Sequence, residues 1–496
     1  MRACGLLLFK CIHRIHGVCY YKAMDTKELT VMIRRRGSWI ERMAKANNPA
    51  KVLMITFLSV ILTGSVLLSL PLANQGAPSS YLNNLFVAVS AVCVTGLSTV
   101  TAATQYTYFG KVVLILLMQI GGIGPMTIIA IFILRGRKYM ATVEKKLFAS
   151  AAGKSDLFNV PGYIRRIMIY TVFFELCGFI LLSLRLIGIY GLGEGLFNAL
   201  FLSVSAFTNA GFDPIGSDSL IQYVGDPVIN LTIMTLIIFG GLGFMVWFEL
   251  KDLLVSKFRR GKVLARKVKR LSEHSVTVLS TTLFLIVSGF ILVYLFESEN
   301  AGTIMNLNGE SRFFACLFQS VTLRTAGFAT VSFGMCTRPL LLIMCVYMLI
   351  GGSPGGTAGG MKTTTIAVLY NSALNTLDER KPDAVIRNRR VAPSLLKHAY
   401  VILTLYISIT FVAVLALTIA EPSVSLLELI FEAVSAIATV GVSTGITASL
   451  SAGGKIVIMI LMFIGRLGPL SVYAAFHKER KVTNHIQYPD ANIIIG

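Results

Sequence analysis

Residues 85–99 read LFVAVSAVCVTGLST, and three later stretches repeat the pattern: LFLSVSAFTNAGFD at 200–213, LFQSVTLRTAGFAT at 317–330 and IFEAVSAIATVGVST at 430–444. Their shared glycines are Gly96, Gly211, Gly327 and Gly441, spaced 115, 116 and 114 residues apart. Ser90, Ser205 and Ser435 each sit six residues before the glycine. Phe86, Phe201 and Phe431 sit ten before it and Phe318 nine, so the third copy is one residue short. A period kept to within one residue over three intervals marks a fourfold internal repeat.

Working outward, each copy lies between two apolar runs. The first runs are 51–72, 164–188, 275–296 and 398–420; the second are 111–134, 227–250, 339–365 and 454–476. Each can cross ~30 Å of hydrocarbon, which takes about 20 helical residues. The intervening segments, such as Asn83–Cys93, are too short to cross and read as re-entrant helices that run into a glycine loop. Two spans per unit return the chain to its starting side, so the four units are parallel, whereas inverted repeats need an odd number of spans. Irregular backbone at membrane depth must be buried in protein or line a watery cavity. The expected fold is an all-α integral membrane protein of four parallel repeats, each span–pore loop–span, around a pseudo-fourfold central pore.

The expected division is an N-terminal segment 1–50, repeat one 51–134, linker 135–163, repeat two 164–250, linker 251–274, repeat three 275–365, linker 366–397, repeat four 398–476 and tail 477–496. Composition agrees with a membrane protein. Of 496 residues 55% are apolar and only 14% charged, against roughly 25% charged in soluble domains. That excludes disorder, collagen and a disulfide scaffold. The net charge is +21, and 37 of the 45 Lys and Arg fall in 1–51, 135–166, 251–275, 366–398 and 477–496. Basic segments flanking spans stay in the cytoplasm, which places both termini inside and explains the charge without nucleic acid. The eight cysteines form no CxxC pair. The patch Gly5–Phe9 has no cleavage signature after it, so no signal peptide is expected. Four of the six histidines are terminal, and His274 and His398 flank spans, which argues against a membrane enzyme.

The four glycine strips are Val94-Thr95-Gly96-Leu97, Asn209-Ala210-Gly211-Phe212, Thr325-Ala326-Gly327-Phe328 and Thr439-Val440-Gly441-Val442. Their side chains are neutral, so the available ligands are backbone carbonyls with Thr and Asn oxygens in support. Rings of carbonyls replace the hydration shell of a monovalent cation, and glycine permits the positive φ that turns carbonyls toward an axis. With these motifs the chain resembles the superfamily of Trk, Ktr and HKT potassium transporters over roughly residues 50–480, most closely the Ktr-type membrane subunit. The resemblance implies one filter glycine per repeat, at Gly96, Gly211, Gly327 and Gly441. Gly96, where some plant members have Ser, favours the potassium-selective type. Residues 1–50 contain no additional pair of spans, which favours Ktr over Trk.

The third unit departs from its siblings. Second spans one, two and four carry Gly121-Gly122-Ile123-Gly124, Gly240-Gly241-Leu242-Gly243 and Gly465-Arg466-Leu467-Gly468. The third reads Gly351-Gly352-Ser353-Pro354-Gly355-Gly356-Thr357-Ala358-Gly359-Gly360. Each Gly costs a helix about 1 kcal/mol and Pro about 3, so this span is expected to break. The stretch resembles the family's intramembrane gating loop. Gly355 to Lys362 nearly spells a phosphate-binding loop, but Met361 intrudes and no βα unit surrounds it; a plain packing kink is the other rival. Arg466, mid-span, is expected to form a positive barrier that hydrogen-bonds the loop, since a charge there costs ~2.5 kcal/mol or more without a partner. A matching arginine occurs in the family.

Glu175 and Glu432 are membrane-depth acids, read equally well as cation-attracting charges or as protonated structural groups. Arg324 is expected to brace its loop. Asp213, Asp218, Asp226 and Glu421 lie outside the filter, either concentrating cations or simply solvating loops. The expected function is potassium uptake across the cell membrane, passive or Na⁺-coupled, with no cofactor in this chain beyond K⁺ and Na⁺ as ions. A cation-coupled solute symporter is the alternative, disfavoured by the parallel period. By resemblance, the subunit forms a homodimer, a ring of RCK-type nucleotide-binding subunits docks on its cytoplasmic face, and the membrane is bacterial.

Overall fold

Repeat one begins with α1 (Pro49–Ser69), followed by α2 (Tyr81–Cys93) and α3 (Tyr108–Ile123). Repeat two contains α4 (Val160–Tyr190), α5 (Leu192–Thr208), α6 (Pro227–Gly241) and α7 (Phe244–Phe258). Repeat three contains α8 (Glu273–Glu297), α9 (Gly309–Thr322), α10 (Arg338–Leu349) and α11 (Thr363–Leu377). Repeat four contains α12 (Pro393–Ala420), α13 (Leu426–Ile437), α14 (Ala452–Leu467) and α15 (Pro469–Phe476). The computed structural model describes residues 9–15, 18–23, 49–124, 160–216, 218–258, 271–377, 385–386 and 389–477. The expectations placed on the basic stretches 125–159, 259–270 and 478–496 lie outside these residues. The described part of the N-terminal segment is an antiparallel hairpin, Phe9–Ile15 with Val18–Ala23.

Burial sorts the helices into two layers. The apolar windows of α1, α4, α8 and α12 are only 33, 28, 28 and 17% buried, so these long helices form an outer layer whose leucines and phenylalanines face lipid. The short helices α2, α5, α9 and α13 form the inner layer, and Phe86, Phe201, Phe318 and Phe431 on them are fully buried. Lipid is as apolar as these side chains, so close van der Waals packing rather than water exclusion holds the layers together. Among the described residues, four helices are long and apolar enough to cross a membrane, or six if each bent pair is one span. This is a multi-pass membrane protein.

The starts of the helices are legible in their caps. Ser80 Oγ accepts the Asn83 N–H, and Thr107 and Ser451 accept from Gly110 and Gly454. Ser425 and Glu428 form a reciprocal capping box at α13.

One expectation needs correction. The third second span was to be the broken one, yet the others break too. α6 and α7 meet at 100°, and α14 and α15 at 93°; α3 ends at Gly124, also at positive φ. Gly124, Gly243 and Gly468 adopt φ of 89°, 88° and 84°, left-handed values that end a helix. The glycine three residues before each of these has a different cause: a Cβ on Gly121, Gly240 or Gly465 would collide with the carbonyl of Val92, Phe207 or Ile437 at the end of the same repeat's inner helix. What distinguishes repeat three is the length of its break, Ile350 to Lys362, between α10 and α11.

Candidate ion pathway

The inner helices end against one another, and the four strips continue from their ends. Five non-glycine residues have positive φ among the described residues, and four of them are Val94 (55°), Asn209 (60°), Thr325 (68°) and Thr439 (52°). Each stands two residues before its glycine, and Gly96, Gly211, Gly327 and Gly441 have φ of 101°, 72°, 81° and 89°. Left-handed backbone costs a non-glycine residue roughly 1–2 kcal/mol, and Val94, Thr325 and Thr439 are β-branched, for which it is a true outlier. Strain repeated at equivalent positions in four repeats belongs to a functional backbone shape.

The strips are also in contact. A Cβ on Gly96 would lie 2.8 Å from the Ala210 carbonyl oxygen and 3.4 Å from Gly441 Cα. On Gly211 it would lie 2.7 Å from Gly327 Cα, and on Gly441 it would strike the Thr95 carbonyl. The glycines thus form a ring in the order of the repeats. Around it the hydroxyls of Thr95, Thr325 and Thr439 and both amide atoms of Asn209 are buried without a protein partner. Buried polar atoms are normally bonded; uncharged oxygens clustered like these suit a partly dehydrated monovalent cation.

In strips two, three and four the last residue behaves differently from the others. The hydroxyls of Ser205, Thr322 and Ser435 donate to the carbonyls of Phe212, Phe328 and Val442 at 2.7, 2.5 and 2.6 Å. These carbonyls, expected as ligands, already have a protein partner. The serines were visible in the sequence only as repeat markers. Thr322 aligns with them, four residues after Phe318, but the glycine follows it by five residues instead of six, so spacing from the glycine did not mark it.

Two cavities flank the ring and share no lining residue. The outer one, 370 Å³, is lined by the four glycines with Asp213, Asp218, Thr99 and Thr444. The inner one, 490 Å³, is lined by Pro354–Gly356, Ala358–Lys362 and Arg466. The Gly351–Gly360 loop crosses between them. Ser353 N–H and Thr357 N–H donate to the carbonyls of Gly241 and Gly240 at 2.9 and 3.1 Å, and Thr357 Oγ1 donates to Phe207 O at 3.1 Å. A Cβ on Gly359 would strike Thr439 Oγ1, so the loop lies directly beneath the fourth strip. Arg466 donates to the Thr357 carbonyl and to Gly121 and Gly122 of repeat one, the last at 3.3 Å. One guanidinium therefore joins repeats four, three and one. Lys362, passed over in the sequence, donates to Ala358 O at 2.7 Å and stiffens the same loop. The N–H groups of Ser353, Gly356 and Thr357 are spent on protein carbonyls, and helices α10 and α11 flank the loop where a phosphate loop would follow a strand.

The remaining candidates separate. Asp213 and Asp218 line the outer cavity. Burial pushes the Asp213 carboxyl up to about 6; N–H bonds from Gly216 and Ile215 oppose that, Asp218 adds to it and Lys111 opposes it. Asp226 caps α6 and pairs with Arg185 at 2.5 Å, and Glu421 accepts the Ser451 N–H, so both are structural. Glu175 accepts from Gln119 at 3.1 Å between repeats one and two, away from the ring. Glu432 accepts from Thr447 behind the fourth strip. Arg324 is buried, 6% exposed, within the third inner-helix turn.

This arrangement can be set beside known proteins. The TrkH model, described as cation transport protein, matches residues 30–486. The chain belongs to the TrkH family. Among similar family members, the Ktr system potassium uptake protein B of Bacillus subtilis (strain 168) is 37% identical over 90% of this chain and 97% of that protein. The protein of the same name from Vibrio alginolyticus is 35% identical over 91% and 96%. The potassium/sodium uptake protein NtpJ of Enterococcus hirae is 32% identical over 92% and 99%. The crystal structure of the potassium transporter TrkH from Vibrio parahaemolyticus shares the fold, with a TM-score of 0.64 and 19% identity over 86% of this chain and 85% of that one. That shared fold agrees with the membrane protein of four repeated span–loop–span units that the period indicated for this chain.

Proposed function

We propose that this chain takes up K⁺ across a bacterial cell membrane through the ring of Gly96, Gly211, Gly327 and Gly441. Carbonyls and hydroxyls of the four strips replace part of the hydration shell, and the Gly351–Gly360 loop with Arg466 gates the inner side. The observation that carries the reading is the recurrence of left-handed residue, spacer and left-handed glycine in all four repeats, converging on one axis. The names of the similar proteins support K⁺ as the substrate, and that of NtpJ supports a role for Na⁺. Both termini face the cytoplasm, the protein pairs as a homodimer with a pore in each protomer, and RCK-type nucleotide-binding subunits dock on the basic linkers.

The test is ⁸⁶Rb⁺ and ²²Na⁺ uptake by proteoliposomes of the purified chain. Concentrative or gradient-driven Rb⁺ uptake that K⁺ competes away and Na⁺ does not is expected. Uptake indifferent to K⁺, or absent at every Na⁺ concentration with and without regulatory subunits, would refute the reading.

A further inference from the structure

Behind the four strips stands a second ring, made of hydroxyl groups. Ser90, Ser205, Thr322 and Ser435 occupy the last turn of their inner helices and are all buried. In three repeats the hydroxyl donates to the carbonyl of the residue after the glycine: Ser205 to Phe212, Thr322 to Phe328 and Ser435 to Val442. Ser435 also accepts the Gly441 N–H at 3.1 Å. Ser90 accepts the Gly96 N–H at 3.0 Å, and no bond from it to the Leu97 carbonyl occurs among the described residues.

Repeat three shows that the bond, rather than the serine, is what the architecture keeps. In the other repeats the N–H before the glycine reaches back five residues, from Thr95 to Ser90, Ala210 to Ser205 and Val440 to Ser435. In repeat three Ala326 reaches back four, to Thr322. The one-residue shortening falls between this hydroxyl and the glycine: Thr322 stands four residues after Phe318, as Ser90, Ser205 and Ser435 stand four after Phe86, Phe201 and Phe431. The hydroxyl-to-carbonyl bond survives that shortening, spanning six residues to Phe328 where Ser205 and Ser435 span seven.

We propose that Ser205, Thr322 and Ser435 are positioning residues that turn the outermost carbonyl of three strips back into the protein and hold the glycine carbonyls at their spacing. The consequence deepens the proposed function, on which it rests. Dehydration begins at the glycines, and an ion in the outer cavity keeps its water. Repeat one, held only through the Gly96 N–H, is the compliant side of the ring.

The test compares Thr322→Val, which keeps the shape and loses the hydroxyl, with Thr322→Ser, which keeps the hydroxyl. Proteoliposome uptake gives the Rb⁺/Na⁺ preference and the apparent KM for Rb⁺ of each, normalised to its own Vmax. Thr322→Val should lower the preference about tenfold, the factor set by one buried hydrogen bond of roughly 1.4 kcal/mol, while Thr322→Ser restores it. Ser435→Ala should resemble Thr322→Val, and Ser90→Ala should change the preference least. If Thr322→Val does not elute as folded protein, Ser205→Ala against Ser90→Ala carries the same comparison. Equal preference in Thr322→Val and wild type, or equal losses in Ser90→Ala and Ser435→Ala, would overturn the clamp. A wild type that takes up no Rb⁺ would instead refute the transport reading.

Discussion

The ring of glycine strips and the floor beneath it are built from the same four repeats, yet they treat symmetry differently. In the ring every repeat contributes a left-handed residue, a spacer and a left-handed glycine. In the floor three repeats end a helix at a left-handed glycine, whereas repeat three inserts a crossing loop and repeat four supplies Arg466 to hold it. An ion on the axis is best surrounded by equal ligands, so departure from symmetry in the ring weakens discrimination. A gate needs one element that moves against others that stay, so symmetry there has no value. In the proposed function, selection falls to the ring and control to the floor.

The largest expected effect comes from breaking the ring. Gly441→Ser places a side chain against the Thr95 carbonyl at a φ of 89°. That strain, roughly 1–3 kcal/mol before the clash is counted, should abolish K⁺ preference. Gly96→Ser and Gly211→Ser should each admit Na⁺ more readily. Competition of K⁺ against Na⁺ uptake reads both, and an unchanged preference in all three would remove the ring from selection.

Altering the floor should change flux and leave preference intact. Deleting Ser353–Gly359 removes the obstruction, and Arg466→Ala removes the bond to the Thr357 carbonyl, so each should raise K⁺ flux. The double variant should fall short of additivity by about 0.5–3 kcal/mol, because the two parts share one network. Folded protein with flux at or below wild type after the deletion would reject the gate and favour a packing kink.

The smallest effects distinguish two of the three acids that follow the second strip. Asp213 lines the outer cavity and titrates near 6. As pH falls through that value its carboxylate is neutralised, so apparent K⁺ affinity should fall modestly below pH 6, and Asp213→Asn should flatten the profile. Asp226→Ala loses a helix cap and the pair with Arg185; the cap is worth about 1 kcal/mol of stability, and the pH profile should be unchanged. Thermal unfolding and uptake between pH 5 and 8 check both; a pH profile flattened by Asp226→Ala instead would reverse the assignment.

Local patterns determined much of this protein before any coordinate was known. Apolar run lengths set the spans, the 115-residue spacing set four parallel units, and the glycines marked the ring. The run of glycines from Gly351 marked the crossing loop, and Arg466 marked itself, because a charge among apolar neighbours needs a partner. These signals are written in consecutive residues or in a constant period. Tertiary structure alone decided the rest. That Gly121, Gly240 and Gly465 press on inner-helix carbonyls depends on how closely two helices approach. That Asp226 caps a helix while Asp213 lines the outer cavity depends on which way a loop turns. That Thr322, aligned with the three serines, bonds the Phe328 carbonyl across a turn one residue shorter depends on how that turn folds. Hydrogen bonds are short and directional, so which groups share one is settled by the packing of segments far apart in the chain, and periodicity carries no record of it.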